Sequence, residues 1–283
     1  MHPALRGVVW MSGAVLSFSA MAIAARQLLA HMGAFQVVFV RSVVMLAIVL
    51  VVIAQAKGAV TATRRLPLHL LRNIIHFGGQ ACWVFAIGAL PLATVFAIEF
   101  TMPVWTAILA ALLLGERLTS NRLVMLTLGF AGVLVILRPG AGAFHPAVFV
   151  ALAAAFLYAG NMIATKRLSS TDGPLAVLFW MALIQTPLAL AASLPHWASP
   201  PAGDLPWMIL IGVGSYTAHY CMTRAFRLAD ATLVVPIDFT RLPLIAVVGA
   251  VFYAEPFDPM ILAGAAIIFA GTYFSLSRET RGP

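Results

Sequence analysis

Four ionisable side chains stand well inside apolar stretches of this sequence: Arg41, Glu99, Asp238 and Arg241. Left alone at the centre of a spanning helix, each costs about 2.5–3.5 kcal/mol on insertion scales, so such groups pair, bind polar solutes or pass protons. Polar and aromatic residues accompany them at helical spacing. His76, Gln80 and Trp83 fall at i, i+4 and i+7, and Tyr216, His219, Tyr220 and Thr223 make a second run of the same kind. Each set forms a stripe on one helix face. Tyr158, Asn161 and Thr165 share a third face, and Ser12 and Ser19 a fourth. Acidic groups beside rings and amides suit a small zwitterionic or cationic solute with a flat part, because ring faces attract cations and stack on planar groups. Glu99 and Asp238 are the acidic groups placed to take and release a proton.

Plainer readings of the same residues stand beside these. Tyrosine and tryptophan gather at membrane interfaces, and Ser or Thr often bonds back to its own helix. The four charges also read as two ion pairs that lock helices. Rise arithmetic puts Arg41 level with Glu99, and Asp238 and Arg241 lie at i, i+3, so the pairs expected are Arg41–Glu99 and Asp238–Arg241. No Gly-x-Ser-x-Gly, His-Glu-x-x-His, P-loop or acidic metal cluster occurs, so no catalytic residue, metal or cofactor is expected. His76 and His219 lack a second ligand at one-turn spacing, and Cys82 and Cys221 read as small packed side chains. The rival classes are a membrane-embedded enzyme and a passive channel or facilitator. The enzyme is disfavoured because helix rise sets Glu99 and Asp238 roughly 10 Å apart along the membrane normal, too far for one reacting centre.

The elements that must position these groups follow from composition. Of 283 residues, 62% are hydrophobic and 9% charged, against roughly 25% charged in a soluble domain. That balance points to lipid as the solvent and leaves little chain for a nucleotide domain, a nucleic-acid reader or a disulfide scaffold. Ten apolar runs can be marked, at 7–31, 33–56, 67–90, 92–114, 120–138, 146–165, 174–194, 207–228, 231–253 and 259–276. Each suits a spanning helix of roughly 20 residues. The net charge of +8 sits mostly between runs, so it reads as topology rather than as a nucleic-acid surface. With the N-terminus inside, thirteen of the seventeen Lys and Arg fall in cytoplasmic segments, Arg72 among them, and two, Arg26 and Arg138, fall outside. Both termini are therefore expected in the cytoplasm.

The chain also repeats. At an offset of 139, Leu66–Leu137 aligns with the second half without a gap: Ile98-Glu99-Phe100-Thr101 faces Ile237-Asp238-Phe239-Thr240, and Phe130-Ala131-Gly132 faces Phe269-Ala270-Gly271. Gln80 matches His219, Cys82 matches Cys221, Val95 matches Val234 and Glu116 matches Glu255. Five runs per copy is an odd number, so the second copy enters the membrane from the opposite face. The fold class expected is all-α integral membrane, ten transmembrane helices as two inverted five-helix repeats, residues 1–142 and 143–283. Such repeats are a recurrent plan of secondary transporters, with the site near midplane.

Gly115-Glu116-Arg117-Leu118 after the fourth run, Gly132 to Gly140 closing the fifth, and Leu90-Pro91-Leu92-Ala93 leading to Phe100-Thr101-Met102-Pro103 resemble the EamA-type drug/metabolite transporter superfamily over essentially the whole chain. In the second half Ala254-Glu255-Pro256 replaces the Gly-Glu-Arg pattern. The resemblance implies a ten-helix carrier of small metabolites, such as amino acids, S-adenosylmethionine-like compounds or flavins, often exported, in a bacterial inner membrane. Its partners would be a small-molecule substrate and the lipid bilayer, with no nucleic acid, as a monomer or weak dimer.

Overall fold

The computed structural model describes residues 3–55, 61–115, 118–138, 145–168, 171–228 and 237–279. Among them are the helices α1 (Pro3–Leu28), α2 (Ala34–Gln55), α3 (Leu66–Ala89), α4 (Leu92–Glu99), α5 (Met102–Leu114), α6 (Ser120–Leu137), α7 (Ala147–Leu168), α8 (Pro174–Ser193), α9 (Leu205–Leu228), α10 (Arg241–Tyr253) and α11 (Pro259–Glu279). The described residues contain no strand. The helix starts follow familiar chemistry. Proline stands in the first turn of α3, α5 and α8, where its missing N–H costs nothing, and Thr119 caps α6 by accepting the Arg122 N–H. Glu116, Arg117, Pro139, Gly140, Val234 and Pro236, which carry parts of the motifs above, lie outside the described residues.

Among the described residues, seven helices or helix pairs are long and apolar enough to cross a membrane, including Leu92–Leu113, which joins α4 to α5. α3 and α9 have the length, 24 residues each, but carry the polar stripes, and those residues lower their apolarity. α10 is 13 residues long, and part of the run before it lies outside the described residues.

The expected single helix over 92–114 is broken at Phe100 and Thr101. Pro103 has no N–H to offer the Glu99 carbonyl, and the ladder stops there. Pro243 likewise leaves the Phe239 carbonyl without its helical donor, and α10 starts only at Arg241. Both breaks fall where the acidic residues stand.

α1 packs on α9, α3 on α7, α2 on α8, α6 on α11, and α4 on α10. Close approach along α6 and α11 depends on glycine: a Cβ on Gly132 would meet the Gly264 carbonyl oxygen at 2.5 Å, and one on Gly271 would meet Leu128 at 2.8 Å. At one end of the bundle the last turn of α1 meets the α3–α4 turn and the segment after α10 through Arg26, Leu90, Leu92 and Glu255. His31 and Asp204 join the α1–α2 turn to the start of α9 at the same end. At the other end Arg65 donates to the Arg167 carbonyl and His69 meets Asp172.

Candidate functional site: a charged central chamber

Arg241 is the centre of the site. Its Nη2 lies 3.0 Å from Glu99 Oε1 and 3.6 Å from Asp238 Oδ2. The guanidinium carbon also sits 4.9 Å from the ring centres of Phe18 and Phe96 and 5.2 Å from that of Phe100. Two carboxylates and three aromatic faces thus hold one buried cation. The second oxygen of Glu99 accepts the Trp83 indole N–H at 2.7 Å. Breaks at the ends of α4 and before α10 allow this meeting, because they release residues at midspan from continuous helices.

The surrounding chamber has a volume of about 100 Å³. From α3 come His76, Gln80 and Trp83; from α7, Tyr158 and Asn161; from α9, His219. With Glu99, Asp238 and Arg241 these are nine of the twelve candidate solute-binding residues. His76 lies 5.6 Å from Tyr158 and 5.9 Å from His219, ring centre to ring centre. Tyr158 O–H donates to Gln80 Oε1 at 3.4 Å. Four buried polar atoms of chamber-lining residues have no protein partner: Gln80 Nε2, Asn161 Oδ1, Asp238 Oδ1 and Arg241 Nε. Four methionines, Met21, Met102, Met162 and Met222, complete the wall. No sequence signal marks them, since an apolar thioether leaves no polar stripe, although Met suits an adaptable surface.

Three residues do not join the chamber. The expected Arg41–Glu99 pair does not form; Arg41 donates instead to Ser215 at 2.8 Å, Ser42 at 3.2 Å and Gln185 at 2.6 Å. Equal depth does not imply adjacency, and α2 packs on α8 and α9 rather than on α4. Tyr216 and Tyr220 stack on each other at 6.0 Å and line a separate cavity with Arg224 and Arg227. At roughly 100° per residue they point about 60–100° away from His219. The acidic pair departs from expectation as well: Glu99 and Asp238 meet on one guanidinium instead of standing about 10 Å apart.

Arg72, placed by sequence among the cytoplasmic charges, is buried on α3 at 4% exposure. It lines a neighbouring cavity of about 380 Å³ with Thr165, Asp172, Thr223 and Arg227, and this cavity shares Asn161, Met162, His219 and Met222 with the chamber. In the α7–α8 connection, burial raises the Asp172 carboxyl, but hydrogen bonds with Thr63, His69 and Thr171 outweigh it and hold the group below the usual range. Among the described residues, no group of three His, Cys, Asp or Glu is arranged to hold a metal ion. Cys82 and Cys221 are free. Ser12 and Ser19 bond back to Val8 and Val15 of their own helix.

The sequence profile of the EamA-like transporter family matches this chain twice, over residues 5–138 and 145–277. The chain belongs to this family. Among curated relatives, the S-adenosylmethionine uptake transporter of Rickettsia prowazekii is 26% identical over 98% of this chain and 94% of its own length. The riboflavin transporter of Vibrio cholerae is 31% identical over 99% and 96%, and the pseudopaline exporter of Pseudomonas aeruginosa 26% over 98% and 97%. A solved crystal structure covers 95% of this chain and 97% of its own with a TM-score of 0.68 at 18% identity, a likeness of fold. This EamA-like chain is a multi-pass membrane protein of a transporter family.

Proposed function

We propose that this EamA-like protein is a secondary carrier that moves a small zwitterionic or cationic metabolite by alternating access between two inverted five-helix repeats, 1–142 and 143–283. One observation carries the reading: Glu99 from the first half and Asp238 and Arg241 from the second border a single chamber. The repeat is supported by correspondence of elements. Adding 139 to the bounds of α3 and α5 gives those of α9 and α10. The α1–α9 and α3–α7 contacts are mates under that operation, and the equivalent rings of Phe100 and Phe239 stack at 4.1 Å, as residues at a two-fold axis would.

Solute chemistry follows from the lining. Two carboxylates against one guanidinium leave an excess negative charge, and two unpaired acceptors ask for N–H donors or a cationic group. The rings of Trp83, Tyr158, His76 and His219 accept a flat group, such as the heterocycles of S-adenosylmethionine and riboflavin. Relatives are named for uptake and for export, so the gradient sets the direction in this reading. Orientation in a bacterial inner membrane has both termini cytoplasmic, on the side towards which Lys and Arg are concentrated.

The test is flux in proteoliposomes with S-adenosylmethionine, riboflavin and the proteinogenic amino acids as probes. Saturable uptake of at least one, faster with unlabelled probe preloaded inside, is the expected result. Unsaturable flux would indicate a channel, and chemical conversion of a probe an enzyme; either outcome removes the carrier.

A further inference from the structure

Two buried arginines remain outside the Glu99–Asp238–Arg241 cluster. Arg72 donates from Nε to Thr165 at 2.8 Å and from Nη1 to Asn73 Oδ1 at 3.0 Å, while its Nη2 reaches only the Met181 sulfur at 4.0 Å. Gln185 joins it to Arg41: the Gln185 amide accepts from Arg41 at 2.6 Å and lies within hydrogen-bond distance of Asn73 at 3.3 Å and His76 at 2.9 Å. These are neutral partners. Among the described residues neither guanidinium has a carboxylate at ion-pair distance. Two positive charges in a protein interior with no anion between them are costly, and a group that both binds and neutralises one is favoured there.

The two differ in access. Arg41 is 1% exposed and closed in by Ser42, Ser215 and Gln185. Arg72 forms part of the wall of the 380 Å³ cavity. A guanidinium has five N–H groups, so after the bonds to Thr165 and Asn73 it retains donors for a planar bidentate acceptor. Thr165, Thr223 and Asn161 stand beside it in the same cavity. Asp172 lines that cavity too, but its carboxylate is engaged by His69 at 2.7 Å. A chamber with surplus carboxylate therefore borders a cavity with a surplus guanidinium, and the two share Asn161, His219, Met162 and Met222 in their walls. At about 100 Å³ the chamber alone is smaller than the ~300 Å³ of a typical small-molecule site.

We infer that Arg72 is the anchor for a carboxylate on the transported solute, which lies across both cavities with its cationic end towards Glu99 and Asp238. The inference rests on the carrier reading and narrows it to zwitterions. Arg72 would then be a specificity-determining residue.

The test compares each zwitterion with its amine lacking the carboxylate: S-adenosylmethionine with its decarboxylated form, and tryptophan with tryptamine. Wild-type protein in proteoliposomes should carry at least one zwitterion about ten times faster than its amine. Arg72→Gln should lower the zwitterion rate about tenfold and leave the amine rate within about twofold, so discrimination disappears; Arg72→Lys should keep part of it. Proportional loss of both rates would assign Arg72 to folding alone and overturn the proposal. Equal wild-type rates for zwitterion and amine would also overturn it, as would transport of riboflavin, which has no carboxylate, with no zwitterion carried. In those cases carrier activity persists. Flux of no probe removes the carrier reading and this inference together.

Discussion

Arg241 receives more negative charge than it needs, and that surplus defines what Glu99 can do. If Glu99 takes up a proton, Arg241 keeps Asp238 at 3.6 Å and its three rings, so the buried cation is not stranded. Loss of the only partner of a buried charge would be strongly destabilising; with two carboxylates one can cycle. Glu99→Gln should therefore fold and abolish the acceleration of flux by an imposed pH gradient, while solute exchange at zero gradient persists at a lower rate, because Asp238 alone then faces the cationic end of the solute. Full retention of pH-driven flux would remove Glu99 from coupling. Much of this cluster is legible in the sequence, because lipid-facing helices have no use for an acidic residue repeated at an offset of 139 inside apolar runs. The partnership is not legible. Depth along a helix can be counted from sequence, but which helix lies alongside cannot. Counting depth therefore pairs Arg41 with Glu99, although it belongs to Gln185 and Ser215. Arg72 escapes notice for a related reason: near the end of a run, a buried arginine and a topology signal look alike.

At the level of elements, α5 and α10 end alike and differ in one atom group. Gly115 closes α5 with φ of 66°, and Ala254, its equivalent at an offset of 139, closes α10 with φ of 50°. Glycine adopts this left-handed conformation freely, whereas a Cβ costs about 1–2 kcal/mol there. A glycine also loosens the unfolded chain by about 0.4–1 kcal/mol. Ala254→Gly should consequently stabilise the protein by about 1 kcal/mol, and Gly115→Ala destabilise it by a similar amount, both read as opposite shifts of the thermal unfolding midpoint in detergent. A fall for Ala254→Gly would mean that the residue is unstrained. That Ala254 departs from the glycine of the first half is plain in the sequence, and the backbone shows what that departure costs. The helix runs themselves are visible as apolar stretches. The breaks at Phe100 and before Arg241 are harder to see, since proline inside a membrane run is often tolerated and only the neighbouring helices decide whether the ladder resumes.

For the molecule as a whole, the cavities that share walls with the central chamber lie at the end opposite the tightest polar knot. Two cavities that share lining residues with the central chamber extend to Lys166 and Arg227. At the other end Arg26 donates to the Leu90 carbonyl at 2.6 Å and to Glu255 Oε1 at 2.7 Å, while Glu255 Oε2 accepts the Leu92 N–H at 2.8 Å. Gln27 adds a bond to the Tyr253 hydroxyl at 3.2 Å. The knot ties α1 and the α3–α4 turn to the end of α10, and so joins the two halves across the route by which solute would leave. A charge-assisted hydrogen bond of this kind stabilises one packing over another by a few kcal/mol, enough to set which of two states predominates. Glu255→Gln weakens it without removing volume. With Met21→Cys as a reporter inside the chamber, on a background of Cys82→Ala and Cys221→Ala, labelling by a membrane-impermeant thiol reagent from the Arg26 side should rise several-fold in Glu255→Gln, and labelling from the Lys166 side should fall. That reciprocity is the signature of a carrier, because a single chamber exposed to one face must be withdrawn from the other. A rise from both sides would describe an open pore, and no change from either would show that the knot serves stability alone.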